Sequence, residues 1–138
     1  MTRYQQQYDP LYKHARVLLY DYQANRRELA SLRAEAIDRK SAADVQPGTR
    51  HSSKGDPTAA RVMALSDGRI AELERAVKAV DTVFSNLTER ERRFIELVYL
   101  QSCFSVSGAA RQLYISNSTA WRINEKVLIA IIGLMHWR

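Results

Sequence analysis

Two series of residues repeat at alternating intervals of four and three, and this spacing constrains the fold more than any other feature of the chain. The first is Leu11, Ala15, Leu18, Tyr22, Asn25, Leu29, Leu32 and Ala36; the second is Met63, Ser66, Ile70, Leu73, Val77, Val80, Phe84 and Leu87. On an α-helix such positions form one stripe, which is stable only when another helix covers it. Each series follows the same start signal, Asp9-Pro10 and Asp56-Pro57. The aspartate can cap the first free N–H groups, and proline at the first helical position lacks the N–H that would be left unpaired there. Between them, residues 46–57, "QPGTRHSSKGDP", are polar and rich in glycine and proline, as a flexible exposed connector is. The expectation is an all-α chain with two long heptad-patterned helices.

The seam of those helices is placed at Leu11, Leu18, Tyr22, Asn25, Leu29, Leu32, Ile70, Leu73, Val77 and Val80. Two arrangements satisfy it. The helices can fold back as an antiparallel hairpin, or seams from separate chains can combine into an oligomer, with a dimer favoured. In the second case Asn25 would select one register at a cost in stability; otherwise the seam is simply exposed there. Gly68 costs roughly 1 kcal/mol relative to alanine within a helix and is expected to mark a break after Asp67.

After Leu87 the long repeat gives way to short capped segments, so a domain boundary is drawn between residues 1–86 and 87–138. Thr88 and Glu91 have the spacing of a capping box, opening a helix to about Leu100 with Phe94, Ile95, Val98 and Tyr99 inward. Ser105 can cap a helix over 106–113, and Ser116 another beginning at Asn117. Ala110, Leu113, Ile115, Ala120 and Ile123 then occupy the small and apolar positions that a helix-turn-helix requires. Tyr114 stands in the turn where glycine is usual; a positive φ there would be strained, so either the turn has another geometry or neighbouring packing overrides the penalty. Gly108 is expected to permit a close helix crossing.

With Asn117 as the first residue of the last helix, the inward stripe is Ala120, Ile123, Val127, Ile131 and Leu134. The leading and outer face carries Asn117, Ser118, Trp121 and Arg122, the candidates for contact with base edges: asparagine suits adenine and arginine suits guanine. Arg111, Ser116, Thr119 and Lys126 are placed for phosphate, which positions a protein on DNA without specifying sequence. The bland alternatives are a solvated face for Arg122 and Lys126 beside Glu125, and packing of Trp121 against the 88–100 helix.

Charge agrees with a polyanionic partner, since 21 lysines and arginines face 15 aspartates and glutamates for a net +6. Ribosomal and membrane-surface proteins share that balance. The N-terminus "MTRYQQQYDP" lacks the apolar core of a signal peptide, and no apolar run of about 18 residues occurs. A cytoplasmic chain with no membrane partner is expected. Cys103, the single cysteine, is expected to be a buried structural thiol. His14, His51 and His136 are scattered without a carboxylate pair or ligand spacing, and no glycine-rich phosphate loop is present. No enzyme, metal or cofactor is expected.

"LTERERRFIELVYL" (87–100) resembles the opening helix of region four of bacterial sigma factors, and "GAARQLYISNSTAWRINEKVLIAI" resembles the helix-turn-helix that follows it. The order of long helix, polar connector, "GDPTA" restart, second helix and this domain resembles phage regulators of the RinA and ArpU type. The resemblance implies a phage or prophage transcriptional activator of late genes, binding promoter DNA through its C-terminal domain. Tyr114 in place of glycine, and Gly108 where sigma factors usually have glutamate, depart from the pattern. No segment resembles the sigma regions that melt promoters, so the chain is expected to act with the host RNA polymerase holoenzyme. The competing readings are a phage small terminase subunit that binds packaging-site DNA, and an interaction protein with a merely solvated basic face. About three phosphate-neutralising side chains near the motif imply a salt slope of about −3, too weak for one domain to work alone.

Overall fold

The computed structural model describes residues 3–45 and 57–136. Among them every regular element is helical: α1 (Arg3–Tyr8), α2 (Pro10–Tyr20), α3 (Tyr22–Val45), α4 (Pro57–Ser85), α5 (Glu89–Ile95), a π-helical turn (Glu96–Leu100), α6 (Val106–Gln112) and α7 (Asn117–Met135). Of the predicted connector, 46–57, residues 46–56 lie outside the described residues, and α4 begins at the expected Pro57.

Local chemistry accounts for most of the other helix starts. Asp9 Oδ1 accepts the Leu11 N–H at 2.9 Å with Pro10 in the first turn. Thr88 and Glu91 form the full capping box, each side chain accepting the other's backbone N–H. Two expectations fail. The first heptad helix is not continuous, because Asp21 adopts φ −90° and ψ 0° and closes α2 onto the Leu19 and Val17 carbonyls. The break expected after Asp67 is absent, since α4 runs through Gly68. One glycine costs too little to end a helix whose Leu73, Ala76, Ala79 and Val80 are buried.

The chain divides into two compact units, Met1–Gln23 with Ala76–Arg138, and Ala24–Arg75. This division differs from the boundary drawn at 86/87. In the first unit α2 packs on α7 and on the π-helical turn. Tyr12, Ala15 and Leu19 thereby join Val80, Val83, Phe94, Tyr99 and Leu128 in one core. The buried positions of α2 are 12, 15 and 19, whereas Leu11 and Leu18 of the predicted seam are half-buried. The stripe is shifted because α2 meets α7 and the π-helical turn instead of another long helix.

In the π-helical turn the Gln101 N–H reaches back five residues to the Glu96 carbonyl at 2.7 Å, widening the helix. The chain then reverses, and both Cys103 and Phe104 N–H groups donate to the Leu97 carbonyl. Cys103 rides this reversal outward and is exposed, which corrects the expectation of a buried thiol.

The second unit is a hairpin. Arg39 of α3 donates to Ser66 of α4, and Arg33, farther from the connector, donates to Glu74, farther along α4. Pairing that recedes from the connector on both helices is antiparallel. Among the described residues of the hairpin, Leu29 and Leu73 are buried, with Asn25, Leu32 and Ile70 half-buried beside them. Arg69 holds Glu28 through two hydrogen bonds of 2.9 Å, a bidentate fork. Such exposed pairs are screened by water and contribute little, so the apolar seam carries more of the hairpin's stability.

Candidate nucleic-acid interface

α6 and α7 are joined by a tight turn, residues 113–116, whose geometry follows from both ends. Ser105 Oγ accepts the Gly108 N–H at 3.1 Å and starts α6. A Cβ on Gly108 would lie 3.3 Å from that Oγ and 3.4 Å from Phe104 Cδ1, so the glycine fits against its own entry loop and not a helix crossing. At the other end Tyr114 adopts φ +57°. Its N–H donates to the Arg111 carbonyl at 3.3 Å, and the Ile115 N–H donates to the Ala110 carbonyl at 3.0 Å. These two bonds define a Schellman termination, usually completed by glycine. A side chain in this conformation costs roughly 1–2 kcal/mol. Tyr114 is nevertheless 96% exposed, so no packing of its ring offsets the strain. Ala110, buried, and Ile115, half-buried, close the turn instead.

Ser116 caps α7 by accepting the Thr119 N–H at 3.1 Å, and its hydroxyl also donates to Thr119 Oγ1 at 2.8 Å. Both hydroxyls expected at phosphate are thus engaged with each other. Asn117 Oδ1 accepts the Ser107 hydroxyl at 3.0 Å, tying the first turn of α7 to α6. A carbonyl oxygen has a second lone pair, so a bidentate adenine contact by Asn117 must share Oδ1 or displace Ser107. Ser118 and Arg122 are exposed, and Trp121 is half-buried. Arg111 and Arg122 hold no ion pair among the described residues.

Lys126, the remaining phosphate candidate, is exposed and has a partner within the chain. Its Nζ lies 2.9 Å from Glu91 Oε2, joining α7 to the capping box of α5. Burial works against ionisation of Glu91, but the Lys126 ammonium and the Thr88 hydrogen bonds outweigh it and hold the carboxyl below its ordinary range.

On α7, Ala120, Ile123, Val127 and Ile131 are buried as the stripe predicts, but Leu134 is 43% exposed. The buried face is instead widened by Asn124 and Leu128, because α2, α5 and α6 all pack on this helix. Asn124 was absent from the sequence stripe, and its neighbours explain its burial. It accepts from the Tyr99 hydroxyl and donates to Gln6 Oε1 at 2.9 Å, and Gln6 is itself buried. Burial pushes the Tyr99 hydroxyl up, so it remains a neutral donor. Arg16 binds the carbonyls of Gln6 and Gln7, fixing α1 on α2. The sequence signal for this network was an asparagine flanked by buried apolar positions four residues from Ala120.

A second feature escaped the sequence reading of sites. Glu89, Arg90, Arg92, Arg93 and Glu96 line an open groove of about 660 Å³ with Leu113, which brings the arginine-rich face of α5 beside the α6–α7 turn. Arg92 is tied to the Phe84 carbonyl and Arg93 to Glu96, while Arg90 is exposed. The charge run "ERERR" was the available signal.

The chain belongs to the family described as Protein of unknown function (DUF722), whose model matches residues 11–132. That span runs from the first turn of α2 to the last turn of α7 and leaves out α1. No curated protein and no solved structure matches the chain. Among the described residues no helix is long and apolar enough to cross a membrane.

Proposed function

We propose that this chain is a sequence-specific double-stranded-DNA-binding regulator of transcription, encoded by a phage and activating late genes with the host RNA polymerase holoenzyme. The observation that carries the reading is the α6–α7 pair: a tight turn sets the start of a 19-residue helix at the surface, with Asn117, Ser118 and Arg122 exposed on its leading face. This is the arrangement by which a recognition helix presents its first turns to a major groove. The net charge of +6 and the resemblance of 87–100 and of the helix pair to sigma region four support it. In this reading Arg122 and Asn117 contact bases, Arg111 contacts phosphate, and Lys126 orients α7 through Glu91.

A face offering about two to three cations to phosphate has a salt slope of about −2 to −3, which is weak binding at physiological salt. Two chains would double it. Leu29 and Leu73 are buried within one chain, but Ile37, Val62, Met63 and Leu65 of the hairpin are more than half exposed and suit contact with a second copy.

The test uses the full chain against fragments of the adjoining phage DNA, read by footprinting and fluorescence anisotropy over a range of salt. A single protected site is expected, with Arg122→Ala losing discrimination of about 1–3 kcal/mol at one base pair. Arg111→Ala should weaken all fragments alike and reduce the slope by about 0.9. Equal affinity for every fragment would sink the sequence-specific reading, and a closed ring in light scattering would favour a packaging role.

A further inference from the structure

Tyr114 is the one residue of the α6–α7 turn whose side chain the fold does not use. Both hydrogen bonds that define the turn are made by backbone, and the apolar closure is made by Ala110 and Ile115. The ring is 96% exposed and held in the left-handed region at φ +57°. A strained non-glycine residue whose ring packs on nothing among the described residues points to a use for that ring outside the chain.

The position limits what that use can be. Tyr114 follows Arg111 by three residues and precedes the Ser116 cap by two, at the entrance to α7. When a recognition helix enters the major groove by its N-terminal turn, the turn before it passes beside the flanking sugar-phosphate strand. The Ser116 and Thr119 hydroxyls nearby are engaged with each other at 2.8 Å. The Tyr114 hydroxyl has no hydrogen bond among the described residues. A tyrosine also brings a stiff apolar ring with a polar tip, which fits a sugar edge ending at a phosphate oxygen.

We infer that Tyr114 is a DNA-backbone contact, its hydroxyl donating to a phosphate oxygen at the edge of the groove that α7 enters and its ring lying on the adjoining sugar. The inference rests on the DNA-binding reading above and adds a neutral backbone contact to a face whose proposed phosphate contact, Arg111, is cationic. That difference makes it separable. A phenol releases no counterion, so its loss lowers affinity at every salt concentration without changing the dependence on salt, whereas loss of Arg111 changes both.

The experiment compares wild type, Tyr114→Phe, Tyr114→Gly and Arg111→Ala as full chains on the footprinted duplex, with thermal unfolding measured alongside. Tyr114→Phe should bind about three- to tenfold more weakly, the range for one hydrogen bond, with the log–log salt slope of wild type. Tyr114→Gly should bind at least as weakly yet unfold at the same or a higher temperature, because the left-handed residue is now glycine. Wild-type binding with both Tyr114 variants within twofold of it would overturn the contact and leave the DNA reading standing. Loss in Tyr114→Gly without loss in Tyr114→Phe would overturn the hydroxyl contact. Absence of any wild-type binding would overturn both.

Discussion

The two units are built from the same kind of helix but held by different means. The unit of Ala24–Arg75 has a narrow seam, Leu29 and Leu73, flanked by exposed ion pairs such as Arg33 with Glu74. The unit of Met1–Gln23 and Ala76–Arg138 has a broad core with a buried polar network, Tyr99 to Asn124 to Gln6. A seam of leucines tolerates sliding, because one leucine can replace another. A buried hydrogen-bond chain does not, since each member left alone keeps an unpaired polar group out of water. The candidate interface lies in the unit with the network, and the base contacts proposed for Asn117 and Arg122 would require the first turn of α7 to hold one orientation. The N-terminal residues belong to the core of the same unit, and a fragment beginning at residue 87 lacks Tyr12, Ala15, Leu19, Val80 and Val83.

The sharpest way to break this contrast is Asn124→Ala, which strands the Tyr99 hydroxyl and the Gln6 amide and leaves a small void. A loss of about 2–4 kcal/mol in denaturant unfolding is expected. A loss below about 1 kcal/mol would show that the network does not hold the unit. A smaller effect of opposite sign is expected in the hairpin. Gly68→Ala places a methyl where nothing lies within 4 Å, on an unbroken α4, and should stabilise the chain by about 1 kcal/mol. Destabilisation would mean that the helix is not continuous through residue 68.

The smallest effect sharpens the comparison of ion pairs. Glu91 is held below its ordinary value of 4.5, as Glu28 of the hairpin also is by Arg69, but Glu91 is half-buried where Glu28 is exposed. A carboxyl whose folded value is lowered adds stability that is fully present above its unfolded value and is lost as pH falls through the folded one. Between pH 7 and about pH 3, wild type should therefore lose about 0.5–1 kcal/mol more than Lys126→Met, in which the largest lowering partner is gone. Equal acid sensitivity of the two proteins would remove the Lys126 bridge from the account.

Much of the candidate interface was legible because its signals are local. Ser105 and Ser116 cap the helices they were expected to cap, whereas Tyr114, expected to escape a positive φ by another turn geometry or to have it offset by packing, takes φ +57° with its ring exposed. The errors share a cause. The seam at Leu11 and Leu18 assumed a long helix as partner, while α2 faces α7 and the π-helical turn. Cys103 was read as buried because its neighbours are apolar, although a π-helical turn ends the helix just before it. Leu134 was carried along a stripe that in fact fades before the end of α7, where the half-buried Ile132 and Met135 pack on the core instead.

By itself the sequence determined that the chain is helical, where most helices begin, and which turn separates α6 from α7. Caps, proline starts and glycine-like turns act over three or four residues, so their physics is contained in short stretches. Only the tertiary structure decided which face of α2 is buried, that Lys126 serves Glu91, and that Asn124 meets Gln6. Those partners stand 35 and 118 residues apart. The free energy of burying or pairing a group depends on what the rest of the fold brings to it, and no local spacing encodes that.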